Sequence, residues 1–119
     1  MSYVQQLLKG LIDPIILYTI NRMPMYGYQI IRELEKRTGG GLKLNSGTVY
    51  PALIRLEKHG LVTSFWDKAV QQRKRRYYQI TEQGQQFLRK RLTQWHDFCA
   101  LADRIIPKPN PQNGAVKHG

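Results

Sequence analysis

The chain has 119 residues, 41% of them hydrophobic, enough for one domain that builds its own core without staples. Nineteen Lys and Arg against eight Asp and Glu leave a formal charge of +11, which points to a polyanionic partner, either nucleic acid or an anionic membrane surface. The single cysteine, Cys99, excludes an internal disulfide and a multi-cysteine zinc site, and His59, His96 and His118 are too scattered for a structural metal; no metal and no cofactor are expected.

The N-terminal segment lacks the charged stretch and long apolar run of a signal peptide, and no apolar run reaches membrane-spanning length. A cytoplasmic protein without a membrane partner is expected. Residues 3–22 read as helical, with Val4, Leu7, Leu8, Leu11 and Ile12 followed by Ile15, Ile16, Leu17 and Ile20. Asp13-Pro14 interrupts the run. Asp13 as a cap with Pro14 in the first helical position predicts a short leading helix and a main one over about 13–22. Residues 21–25, with Pro24, make a turn, and a second helix over about 26–37 turns Ile30, Ile31 and Leu34 inward. The TGGG stretch, 38–41, reads as a flexible break, after which Leu42 and Leu44 anchor the loop to the core.

A third helix is predicted over about 46–59, capped by Ser46 and stopped at Gly60. Val49, Ala52, Leu53 and Leu56 form its apolar stripe. The opposite face carries Pro51, Ile54, Arg55 and Lys58 without a carboxylate, and its tip is the slim Ser46-Gly47-Thr48. Tyr50 lies on the boundary of the two faces. Past Gly60 the period changes: residues 61–67 and 75–80 are β-branched and aromatic, a hairpin whose tip carries Lys68, Arg73, Lys74, Arg75 and Arg76 against Asp67 alone. Thr81 caps a last helix over about 82–106, closed by Pro107, and the Pro- and Gly-rich tail that follows reads as disordered.

This order, three helices and then a basic hairpin, predicts a mainly α fold with a small β-hairpin (α+β): a winged helix-turn-helix over residues 1–80, a dimerisation helix over 81–106 and a tail over 107–119. The third helix then enters the major groove. Amides and hydroxyls of Ser46, Gly47 and Thr48 meet phosphate, Pro51 and Ile54 meet thymine methyls, Tyr50 reaches a phosphate, and Lys58 and Arg55 continue along the face. Sequence leaves open whether Arg55 takes a base edge or the backbone. The wing cations suit phosphate or a minor groove, a solubilising strand edge being the alternative. On the last helix, Leu88, Leu92, Trp95, Cys99, Ala102 and Ile106 step by four and three, a coiled-coil seam, beside a second row of Phe87, Phe98, Leu101 and Ile105. One row packs internally and the other needs a partner, most simply a second copy of the chain, which would present two third helices to a palindromic duplex site. Cys99 on this seam reads as a small hydrophobe.

YGYQIIREL (26–34), SGTVYPALIRLEKHGLV (46–62) and RRYYQITEQG (75–84) resemble the PadR family of bacterial winged-helix transcriptional regulators, in the family's order and spacing, and the resemblance covers about residues 8–106. It implies a homodimer through the C-terminal helix and DNA binding by the third helix and wing. The single short C-terminal helix is similar to the compact subgroup that includes multidrug-binding repressors, in which a Trp on the last helix lines a flat pocket; Trp95 in QWHDF matches that position, with different neighbours. A clock-associated, period-extending branch of the family in cyanobacteria is compact as well. The leading expectation is a DNA-binding regulator, a repressor. The alternatives are a regulator switched by a planar effector at Trp95, a clock-associated regulator, and an RNA- or membrane-surface-binding protein. No nucleophilic, paired-carboxylate or Cys-His constellation suggests an enzyme.

Overall fold

The computed structural model describes residues 9–68 and 74–107. The expected leading helix, the side chain of Lys68, Arg73 and the expected disordered tail lie outside the described residues. The elements follow in the order α1 (Ile12–Thr19), β1 (Met25–Tyr26), α2 (Gly27–Arg37), α3 (Ser46–Lys58), β2 (Val62–Lys68), β3 (Lys74–Ile80) and α4 (Glu82–Ile105). This is the α+β winged-helix architecture. The three strands form one antiparallel sheet in the order β1-β3-β2. Among the described residues no helix is long and apolar enough to cross a membrane.

The core follows the periodicities. Ile16, Leu17 and Ile20 from α1 and its end, Ile30 from α2, Val49, Leu53 and Leu56 from α3, and Val62 from β2 are fully buried. Each such side chain contributes about 1.5–3 kcal/mol of burial free energy. Leu42 and Leu44 are buried as well, so the loop ahead of α3 is anchored at two points. Ile31, expected inward with Ile30 and Leu34, is half-buried at the edge of that stripe.

Two helix caps lie one or two residues ahead of the sequence reading. α1 begins at Ile12 after Leu11, with no side-chain cap. Asp13 therefore sits inside the first turn, and its carboxylate is engaged elsewhere. The cap of α3 is Asn45 rather than Ser46: the Asn45 side chain accepts a hydrogen bond from the Thr48 amide at 3.0 Å. An Asx side chain one residue earlier does the capping, and Ser46 becomes the first helical residue. Pro51 is inside α3 and exposed. The carbonyl its missing N–H would have bonded belongs to Gly47, also exposed, so water can replace the lost bond. Gly60, at φ +77°, lets the chain leave α3 in the left-handed region.

β1 lies where the sequence predicts a turn and the start of a helix. It pairs Met25 with Tyr78 and Tyr26 with Tyr77, and two residues are too few to display a period. The β2–β3 register runs from Val62 opposite Ile80 to Lys68 opposite Lys74. Alternation puts Val62, Ser64, Trp66, Arg76, Tyr78 and Ile80 on the face toward the helices, and Thr63, Phe65, Asp67, Arg75, Tyr77 and Gln79 on the other.

Two close approaches explain motif glycines. A Cβ at Gly27 would come within 2.5–2.7 Å of the Tyr50 ring and hydroxyl, so Gly27 lets α3 close on the start of α2. A Cβ at Gly84 would collide with the Leu61 carbonyl oxygen and lie 2.7 Å from Ile80. Thr81 caps α4 as expected, accepting from the Gly84 amide at 2.9 Å while its hydroxyl donates to the Gly60 carbonyl at 2.7 Å. The end of α3 and the start of α4 are thus tied by one threonine. The chain divides into two compact units, the first running through Arg89 and the second from Lys90 onward. In the second, the Trp95 and Phe98 rings stack at 6.1 Å, and Phe98 is 60% exposed, Leu101 56% and Ile105 74%.

Candidate nucleic-acid interface

The face of α3 opposite its buried stripe is open along its whole length. Ser46, Gly47, Thr48, Tyr50, Pro51, Ile54, Arg55 and Lys58 are all exposed. The separation is a consequence of helical period: Val49, Ala52, Leu53 and Leu56 fill the core, so the positions between them cannot. Tyr50 holds the boundary. Its ring and hydroxyl both lie against Gly27, and 40% of the residue remains exposed.

The face lacks a carboxylate in sequence but receives one in space. Asp13 of α1 accepts a hydrogen bond from Arg55 Nη2 at 2.5 Å. Forty-two residues separate the two in the chain, so nothing in the local pattern of either helix signals the pair.

The wing cations divide into occupied and unoccupied. Lys74, Arg75 and Arg76 are all exposed. The Arg75 guanidinium lies over the Tyr26 ring, 4.5 Å from its centroid. Tyr26 meets Tyr77 edge to face at 5.4 Å, and Tyr77 stacks on Phe65 at 5.7 Å, so one aromatic row crosses all three strands on the outer face. Arg76 is on the inner face. Its Nε donates to Ser64 Oγ at 2.9 Å, Ser64 Oγ donates to Glu57 Oε2 at 2.6 Å, and Arg76 Nη2 reaches Glu57 Oε1 at 3.4 Å. The same guanidinium lies 5.5 Å from the centroid of the Trp66 ring. Glu57 belongs to α3, so this chain of bonds braces the hairpin against that helix. Lys74 has no partner among the described residues.

Sequence reasoning places Asp13 only as a helix cap and gives Glu57, Ser64 and Trp66 no role at the interface. Glu57 and Ser64 are polar residues of ordinary spacing, and only the fold brings them to Arg76. Trp66, 61% exposed beside the basic hairpin tip, carried a usable signal: a large aromatic at a strand position past the end of the core. Tyr78, next to this network, is pushed above the ordinary tyrosine value of 10.0, chiefly by burial; Arg76 acts the other way, and Glu57 and Tyr50 add to the rise.

Residues 16–90 match the profile described as the transcriptional regulator PadR-like family. An uncharacterised protein of Lysinibacillus sphaericus is 30% identical over 100 residues, covering 84% of this chain and 92% of its own. Among solved structures, a PadR family transcriptional regulator of Eggerthella lenta superposes with a TM-score of 0.77 at 31% identity, covering 88% of this chain and 89% of its own. A transcriptional regulator of Clostridium thermocellum gives 0.79 at 25% identity, covering 89% of this chain and 98% of its own.

Proposed function

The chain belongs to the PadR-like family of transcriptional regulators, which are not enzymes, and from that premise we propose that it binds a palindromic duplex site as a homodimer and acts as a repressor. Membership implies DNA-binding regulation; the groove assignment is our reading. In it α3 enters the major groove and the wing tracks phosphate or the adjacent minor groove. The observation that carries this reading is the open face of α3, slim and uncharged at Ser46-Gly47-Thr48, basic at Arg55 and Lys58, and braced to a cationic hairpin through Glu57 and Arg76. A surface built this way suits close backbone approach at its tip and charge neutralisation at its flank.

Self-association is supported by the apolar residues that α4 leaves uncovered. Leu88 is buried within its own unit, and Leu92, Cys99 and Ala102 are half-buried, whereas Phe98, Leu101, Ile105 and Ile106 are exposed. We assign the partner-facing surface to this exposed set together with Trp95. The stacked Trp95–Phe98 pair also favours a second reading, a regulator whose α4 takes up a planar apolar effector.

Selection of bound fragments from random duplex, followed by shift assays at several salt concentrations, tests the main proposal. A selected site with two-fold symmetry, bound more tightly than scrambled duplex and with a steep salt slope, is the expected result, with reporter expression falling when that site lies in a promoter. Equal affinity for RNA or anionic vesicles would overturn it. Quenching of tryptophan fluorescence by planar dyes, lost in Trp95→Ala but kept in Trp66→Ala, tests the effector reading.

A further inference from the structure

We propose that Asp13 is a positioning residue for recognition: it holds Arg55 so that the guanidinium fork reads a guanine edge in the major groove instead of resting on phosphate. The inference rests on the reading above, that α3 faces the groove. The Arg55 and Asp13 side chains are 45% and 28% exposed, and a pair so open to solvent adds little to stability. A carboxylate on a surface meant for a polyanion also works against binding at long range. Geometry is what the pair supplies in return. Arg55 Nη2 is bonded to Asp13 Oδ1, while Nε and Nη1 have no partner among the described residues. Each donor edge of a guanidinium pairs Nη2 with Nε or with Nη1, so Asp13 takes one Nη2 hydrogen and the other, with its neighbouring nitrogen, remains available as a two-donor edge. An arginine tethered in this way loses less rotamer freedom on meeting O6 and N7 of a guanine, which demand one orientation. A phosphate contact is tolerant of orientation and gains nothing from a neighbouring negative charge. Arg55 lies in the last turn of α3, one turn after Pro51, so it depends on a side chain held at full reach to meet a base edge, and the bond to Asp13 supplies that hold.

The test compares full-length wild type with Asp13→Ala, Asp13→Asn, Arg55→Ala and the Asp13→Ala/Arg55→Ala double variant, on the selected duplex, on its single-position variants and on scrambled duplex. Both Asp13 substitutions remove the same charge, but Asn keeps a carbonyl oxygen that can accept from Arg55. Asp13→Ala is expected to lose about tenfold in preference for the selected site, at the same base-pair position that Arg55→Ala relaxes. Asp13→Asn should keep more of that preference than Asp13→Ala, and the double variant should be no less selective than Arg55→Ala. Thermal melts confirm folding of each. Uniformly tighter binding of all duplexes by both Asp13 variants, with Arg55→Ala lowering the salt slope by about one, would overturn the inference and leave the DNA-binding reading standing. A wild type with no duplex preference would overturn both.

Discussion

α3 and α4 are both amphipathic helices, and they leave opposite faces uncovered. α3 spends its apolar stripe on the core of its own unit and shows solvent a polar, basic face. α4 buries Gly84 and Leu88 near its start and then exposes Phe98, Leu101 and Ile105. What remains uncovered after the chain has folded is the better guide to a partner's chemistry than the hydrophobic pattern itself. A basic remainder suits a polyanion, and a contiguous apolar remainder suits another protein surface.

The comparison breaks first at the buried stripe. Leu53→Ala in α3 should cost about 2–5 kcal/mol, because a fully buried leucine leaves a cavity that α1, α2 and the sheet cannot all close. Leu101→Ala in α4 should change the intrinsic stability of the chain by no more than about 0.5 kcal/mol, because the residue is exposed. Urea denaturation at low protein concentration measures both. A large loss from Leu101→Ala under those conditions would mean that its exposed surface is covered within one chain.

The next largest effect belongs to self-association. Phe98→Glu and Leu101→Glu place a charge on the surface assigned to the partner, which should raise the dimer dissociation constant by about a hundredfold, roughly 3 kcal/mol. The melting behaviour of the N-terminal unit should be nearly unchanged when read by a probe within it. Sedimentation equilibrium across a wide concentration range gives the constant. An unaltered dimer would move the interface to another face.

These two helices also show what a sequence can and cannot disclose. The apolar stripe of α3, the strands and the long α4 carry clear periods, so their existence and core residues were legible to within a residue or two. The caps were less so, because Asn45 and Ser46 are both competent and only the backbone decides between them. β1 was invisible at two residues. The candidate interface was legible as a set of exposed positions but not as a set of partners. Charge counting treats Arg75 and Arg76 alike with Lys74; the fold lays Arg75 on Tyr26 and ties Arg76 to Ser64 and Glu57. Asp13 and Arg55 meet across 42 residues, beyond any local pattern.

That division of the wing sharpens the comparison within the basic region. Lys74→Ala should weaken binding to every duplex alike by about 1 kcal/mol or less, reduce the salt slope by about one and leave the melting temperature where it was. Arg76→Ala should instead lower stability slightly, by up to about 1 kcal/mol since its pair with Glu57 is partly exposed, and loosen the hairpin against α3. Its binding defect should then be shared by Glu57→Gln, which removes no cation. Salt titrations of all three variants separate the two roles. If Glu57→Gln binds like wild type while Arg76→Ala does not, Arg76 acts by direct contact and the brace is incidental to binding.

The smallest effect is a shallow dependence of stability on alkaline pH, and it should be confined to the α3 side of the comparison. Tyr78 is buried on the inner face of β3, close enough to Arg76, Glu57 and Tyr50 for their charges to be felt. Burial raises its pKa above 10.0 in the folded chain, against the opposing pull of Arg76. A phenol in the unfolded chain ionises first, so the folded state binds the proton more tightly than the unfolded state does. The associated stability is fully present below pH 10.0 and is lost as pH rises through the raised folded value. Tyr78→Phe keeps the ring and removes the titrating group. It should flatten the decline in stability above pH 10.0 relative to wild type, while dissociation of the α4 surface, which does not involve Tyr78, responds to pH as before. Denaturant midpoints measured across this range, with tyrosinate absorbance recorded in parallel, follow the ionisation directly. A wild type and a Tyr78→Phe variant that decline with the same slope would show that another group controls alkaline unfolding and that burial of this phenol does not hold its proton.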